Sequence, residues 1–116
     1  MKEENAIKEK STKFAIRIVE MYKYLSETKQ EYVMSKQLLR SGTSIGANVS
    51  EGVYAQSRSD FISKMSIALK EAAESEYWLE LLIKTRYITE QQYASINEDC
   101  REVIKMLAAI VKSAKN

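Results

Sequence analysis

Histidine is absent from the 116 residues. With it go the commonest general base, the usual catalytic triads, and most zinc and di-iron ligand sets. A bundle-type di-iron site needs Glu-x-x-His motifs, which this chain cannot supply. Neither a metal nor a cofactor is expected, and an enzyme is the least supported class of function. Proline is absent as well, so no helix has to break or kink at an imide ring. Glycine occurs only at positions 42, 46 and 52, which leaves the rest of the chain free of its strongest turn signal. The single cysteine, Cys100, excludes an internal disulfide framework. An excess of one charge sign is also missing. The formal net charge is +2, so any nucleic-acid surface has to be local. No apolar run approaches the roughly 18–20 residues of a membrane span, and no signal-like segment follows Met1. The expected compartment is therefore the cytoplasm, with no membrane partner.

What is present is helical rhythm. Hydrophobic residues make up 45% and charged residues 29% of the chain, the balance of one globular domain over residues 1–116. Residues 1–10, MKEENAIKEK, are mixed charges around Ile7 and read as a frayed or loosely helical lead-in with little part in the core. From about Ser11 to Gln30, Phe14, Ile18, Met21 and Leu25 repeat at spacings of four and three, predicting helix one. A connection near Thr28 to Ser35 leads to helix two, ending around Val53 to Ser57. Ser57 with Asp60, and Thr89 with Gln92, have capping-box spacing and mark the starts of helices three and four. Helix three, running to about Arg86, carries Phe61, Met65, Ala68, Ala72, Ser75, Leu79 and Leu82 in one heptad-like series and should be about 40 Å long. Helix four repeats the rhythm through Tyr93, Ile96, Cys100, Val103, Leu107, Ile110 and Ala114. Four such helices with short connections predict an all-α, antiparallel up-down-up-down four-helix bundle.

The stretch LLRSGTSIGANVSEG, from Leu38 to Gly52, holds all three glycines. Leu38, Gly42, Ile45, Val49 and Gly52 form a small apolar stripe, and the in-phase pattern across both inner glycines predicts a continuous helix that lets another backbone approach closely. A helix broken into a turn at Gly42 or Gly46 is the alternative. Beside that stripe run Arg40, Ser44, Asn48 and Glu51. They are three turns long as a set, which predicts a structural relay from Arg40 to Glu51 through Ser44 and Asn48, specifying helix docking within the bundle or between subunits. Gly42-Thr43-Ser44-Ile45-Gly46 lacks the lysine and preceding strand of a phosphate loop. Glu71, Glu74 and Glu76 point in different directions around helix three and read as solvated, with Glu76 beside the core stripe and able to pair internally. Cys100 falls on a core position and reads as an inert thiol.

Two surfaces remain. Lys10, Lys13 and Arg17 cluster on one side of helix one, and Arg101, Lys105, Lys112 and Lys115 fall within about a quarter-turn on helix four. These seven are the candidate nucleic-acid contacts, against the plainer reading of solvated faces with acidic neighbours. Around Tyr77, Trp78 and Leu81, helix three is apolar almost all round, more than a bundle face requires, which marks these three as a candidate homo-oligomer interface.

The run from Leu39 to Gly52, with Arg40, the pair Ser44-Ile45, Asn48 and the pair Glu51-Gly52, resembles the signature of the 23S rRNA intervening-sequence protein family, also called four-helix bundle proteins. The similarity continues through IALKEAAESEYWLELL and covers nearly the whole chain from about Phe14. Gly46 stands where many members carry proline, and Lys70-Glu71 where many carry Gly-Ser. The resemblance implies the bundle fold but no particular chemistry, since the family has none agreed. Relatives that serve as accessory proteins of diversity-generating retroelements form pentameric rings and are thought to engage nucleic acid and a reverse transcriptase. The resemblance thus implies a homo-oligomer, with a pentamer as the number it suggests, and a sequence-indifferent contact with RNA or DNA through repeated basic stripes. The competing expectation is a protein-protein interaction scaffold with its own protein partner and no nucleic-acid role.

Overall fold

The computed structural model describes residues 2–116 as four helices: α1 Lys2–Lys23, α2 Met34–Val53, α3 Arg58–Lys84 and α4 Glu90–Lys115. They alternate in direction. α2 packs between α1 and α3, and α4 packs closely on α3 and more loosely on α1. This is the antiparallel four-helix bundle that the periodicity predicts, and no strand occurs among the described residues. Its long dimension of 43 Å is set by the 27 residues of α3, about 40 Å at 1.5 Å per residue. No helix among the described residues is long and apolar enough to cross a membrane.

Each apolar stripe lines the core. Phe14 and Ile18 of α1, Leu38, Ile45 and Val49 of α2, Met65, Leu79 and Leu82 of α3, and Ile96, Val103 and Leu107 of α4 are all buried. Toward the end of α4 the buried position moves to Val111, and Ile110 and Ala114 are left half-buried. A helix of 3.6 residues per turn drifts against a strict seven-residue repeat in this way.

The lead-in is a correction. Residues 2–10 form the first turns of α1, and Ile7 is fully buried; Met1 lies outside the described residues. Ile7 is in phase with Phe14 and Ile18 through Ser11, whose small side chain is itself buried with its hydroxyl donating to the Lys8 carbonyl at 3.2 Å. A polar residue that satisfies itself locally does not interrupt a stripe. The other end of α1 stops earlier than expected. Tyr24–Thr28 widen into a π-helical turn, and the chain then reverses through Gln30 at a left-handed φ of 54°.

No Ser, Thr, Asn or Asp immediately precedes α2, and its cap comes instead from Glu31. That carboxylate is buried and accepts from the backbone N–H groups of Val33 (3.1 Å), Met34 (3.0 Å) and Ser35 (2.7 Å). Donors left over at a helix start are thereby satisfied by a charged acceptor at the positive end of the dipole. α2 then continues unbroken across both inner glycines. A Cβ at Gly42 would lie 2.7 Å from Ile18 Cγ1 and Cγ2, so the bare backbone is what admits α1 here. α3 starts at Ser57, whose Oγ accepts from Asp60 N–H at 3.0 Å, and α4 at a two-way capping box between Thr89 and Gln92.

Candidate functional site

The relay predicted along α2 does not form. Ser44 Oγ donates to the Arg40 carbonyl at 2.6 Å and Asn48 Nδ2 to the Ser44 carbonyl at 2.8 Å, so both side chains are spent on their own helix. The two charged ends turn to α3 separately. Arg40 Nη1 lies 3.0 Å from Glu71 Oε2 and its Nη2 binds Glu74, while Lys64 Nζ lies 2.9 Å from Glu51 Oε1. Glu71 and Glu74 were expected as solvated surface pointing apart. They sit three residues apart, close enough on one helix face for a single guanidinium to join them. Glu74 also accepts from Trp78 Nε1 at 3.0 Å. That bond, and then the Arg40 guanidinium, hold its carboxyl below the ordinary range. Two of the four signature residues, Arg40 and Glu51, therefore pin α2 to α3 at two heights. Only the across-helix register, which spacing along one helix does not contain, reveals it.

The basic stripes divide. Lys10 Nζ lies 2.7 Å from Glu102 and 3.5 Å from Asp99, and Arg17 Nη1 lies 2.7 Å from Asp99 and also donates to the Ser95 carbonyl, while its Nη2 donates to Ser95 Oγ. These two close the loose α1–α4 seam. Burial alone would raise the Asp99 carboxyl, but Arg17 and Lys10 draw it below its usual range. Lys13 pairs within α1 to Glu9 at 3.1 Å, and Arg101 crosses to Glu76 at 3.2 Å, the internal pairing expected of that glutamate. Lys105, Lys112 and Lys115 are exposed and make no ion pair among the described residues. Of the seven cations expected to meet nucleic acid, the structure gathers these three on the C-terminal half of α4 and commits the others to carboxylates.

Of the apolar candidates, Tyr77 is 55% exposed, Leu81 is half-buried, and Trp78 is half-buried against the core with its ring edge-on to Tyr77 at 5.0 Å. Trp78 belongs to the edge of the bundle and Tyr77 to its outside. A residue that sequence reasoning passed over stands on the other flank. Ile16 of α1 is 56% exposed, directly away from the core. It is out of phase with Phe14 and Ile18, and that mismatch was the available signal.

Cys100 is fully buried, its Sγ 3.5 Å from the Ala72 carbonyl, and burial pushes its thiol up to about 12. No cluster of three potential metal ligands occurs among the described residues. A groove of about 610 Å³ opens where the ends of all four helices meet, floored by Val53, Phe61, Met106 and Ile110. Arg58 at its edge donates to the Ala114 carbonyl at 3.1 Å, so that guanidinium caps α4.

Compared with known proteins, residues 3–109 match the model of the 23S rRNA-intervening sequence protein family. Among solved structures, the chain is similar to a protein of unknown function from the S23 ribosomal protein family of Bacteroides thetaiotaomicron VPI-5482. The two are 61% identical with a TM-score of 0.93, and the alignment covers 95% of this chain and 98% of that one. No curated protein matches.

Proposed function

The chain belongs to the 23S rRNA-intervening sequence protein family, and from that membership we propose that it is a non-enzymatic, self-assembling helical bundle of the cytoplasm that meets nucleic acid through α4. The observation that carries this reading is the charge map: Lys105, Lys112 and Lys115 are exposed and unpaired among the described residues, whereas the other four candidate cations face carboxylates. Lys105 and Lys112 are two turns apart on one face, and Lys115 lies a turn further on. No aromatic is interleaved with them, so phosphate contact rather than base stacking sets the affinity. The family description refers to an intervening sequence of 23S rRNA, which makes RNA the first polymer to try.

One subunit with a net charge of +2 is a weak polyelectrolyte ligand. An assembly repeats the three lysines in every copy and gathers them into one positive zone. The exposed Tyr77 and neighbouring Leu81 support such an assembly, and the resemblance to ring-forming relatives suggests five copies. The buried, inert thiol supports a role without covalent chemistry. Two measurements test the reading. Sedimentation velocity at micromolar protein is expected to find an oligomer, and titration of mixed-sequence RNA is expected to find affinity that falls steeply with salt. An oligomer that binds no RNA or DNA at low salt would instead support a protein-interaction scaffold.

A further inference from the structure

Two outer flanks, each built around an exposed apolar side chain, Ile16 on α1 and Tyr77 on α3, lie on diagonal helices and carry matching ladders. On α1, Glu9, Lys13, Ile16, Glu20 and Lys23 follow one another at spacings of four, three, four and three, all exposed and on the side away from the core. On α3, Lys70, Glu74, Tyr77, Leu81 and Lys84 follow one another at the same spacings around the exposed Tyr77 ring. α1 and α3 are each packed between α2 and α4, so the two flanks face opposite ways, and as first and third helices of an alternating bundle they run parallel.

Resting on the self-assembly reading, we propose that the complement of the Tyr77 flank is the Ile16 flank of a second copy of this chain. Laid parallel with Ile16 on Tyr77, the ladders set Glu9 against Lys70 and Lys13 against Glu74, and bring Glu20 beside Leu81 and Lys84. The one like-charge pairing, Lys23 with Lys84, falls at the end of the ladder, where Glu80 already holds Lys84 at 2.9 Å. Laid antiparallel, the same ladders oppose Glu20 to Glu74 and Lys23 to Lys70, so the charge pattern selects the parallel arrangement. The Glu9–Lys13 pair within one chain does not compete strongly, because its side chains are 70% and 71% exposed and such pairs contribute little. Joining two different faces makes the contact heterologous. Each copy keeps one flank for the next, which yields a ring or a row rather than a closed two-fold dimer. Ile18 beside Gly42, and Ser41 beside Ser75, place Ile16 about a turn and a half below Tyr77 within one chain. Neighbouring bundles are therefore stepped by that rise, which a ring accommodates by inclining them to its axis.

Sedimentation velocity on charge reversals tests the pairing. Glu9→Lys and Lys70→Glu are each expected to weaken assembly by at least about tenfold, and the two reversals in one chain to restore it. Ile16→Ser should dissociate the assembly while circular dichroism stays helical, since its side chain is outside the core. If Tyr77→Ser dissociates the assembly but Ile16→Ser and Glu9→Lys do not, or if the double reversal fails to restore it, the pairing is overturned and self-assembly stands. A wild-type monomer would overturn both.

Discussion

Ser75 Oγ lies 2.9 Å from Ser41 Oγ, with both side chains fully buried in the seam between α2 and α3. Each hydroxyl also has a carbonyl of its own helix in reach, Glu71 at 2.9 Å for Ser75 and Leu38 at 3.4 Å for Ser41. The pair lets two helix backbones approach with no polar atom left over. Ser75→Ala should cost about 1 kcal/mol, because it strips Ser41 of its better partner, and Ser41→Ala a similar amount. The double variant should cost no more than either single one. Urea denaturation of all four proteins checks this; strictly additive losses would mean that the hydroxyls act independently.

The two inner glycines of α2 should respond to alanine with opposite signs. At Gly42 the new Cβ would press on Ile18 at 2.7 Å, and overpacking of this kind costs about 1–3 kcal/mol. At Gly46 the nearest atom is the Ser11 carbonyl oxygen at 3.6 Å, an ordinary contact, so the gain in helix propensity of roughly 0.8–1.0 kcal/mol is kept. Thermal melts should show Gly42→Ala falling and Gly46→Ala rising. In an Ile18→Ala background, which lacks both Cγ1 and Cγ2, the loss caused by Gly42→Ala should shrink.

Glu31 gives the fold part of its acid sensitivity. Burial alone would raise its carboxyl, but the backbone N–H groups of Met34, Ser35 and Val33 outweigh that and hold it below the ordinary value of 4.5. A carboxyl depressed on folding adds stability above its unfolded value and loses it as pH falls through the folded one. Glu31→Gln should therefore cost about 1 kcal/mol near pH 7. The gap between wild type and variant should close as the pH is taken below 4.5. A gap that stays constant with pH would assign the effect to shape rather than charge.

Arg86 closes α3 in the left-handed region, at a φ of 69°. Arg86 N–H donates to the Ile83 carbonyl at 3.0 Å and Tyr87 N–H to the Leu82 carbonyl at 2.9 Å, the two bonds of a Schellman motif. Glycine holds this conformation without the Cβ clash. Arg86→Gly is expected to raise stability by about 1 kcal/mol in the same denaturation measurements, and a decrease would show that the arginine side chain has a partner of its own.

How much of this was legible depends on whether the information runs along one helix or between two. The stripe of Leu38, Ile45 and Val49 repeats with the turn, so its burial could be read directly, as could the capping box of Thr89 and Gln92. Ile7 was assigned to a frayed lead-in because mixed charges surround it, although its spacing to Phe14 through Ser11 keeps the helical phase. Glu31 escaped notice because it caps α2 from beyond a bend rather than from the residue before it. The partners of Arg40, and the Asp99 and Glu102 carboxylates that engage Lys10 and Arg17, depend on which turns of two helices lie level. No period along one strand of sequence states that. The same limit made seven cations look equivalent when, among the described residues, Lys105, Lys112 and Lys115 are the ones of the seven that make no ion pair.

The most direct test of a nucleic-acid role for α4 is fluorescence anisotropy with a labelled mixed-sequence RNA, at low and at physiological salt. Wild type is compared with Lys105→Gln/Lys112→Gln/Lys115→Gln and with Lys29→Gln/Lys36→Gln/Arg86→Gln, two variants of identical net charge. Binding by wild type and by the second variant should be similar and steeply salt-dependent, while the first should lose at least about tenfold in affinity and show a flatter salt slope. Equal losses in the two variants, or no binding by wild type at micromolar protein in low salt, would contradict it.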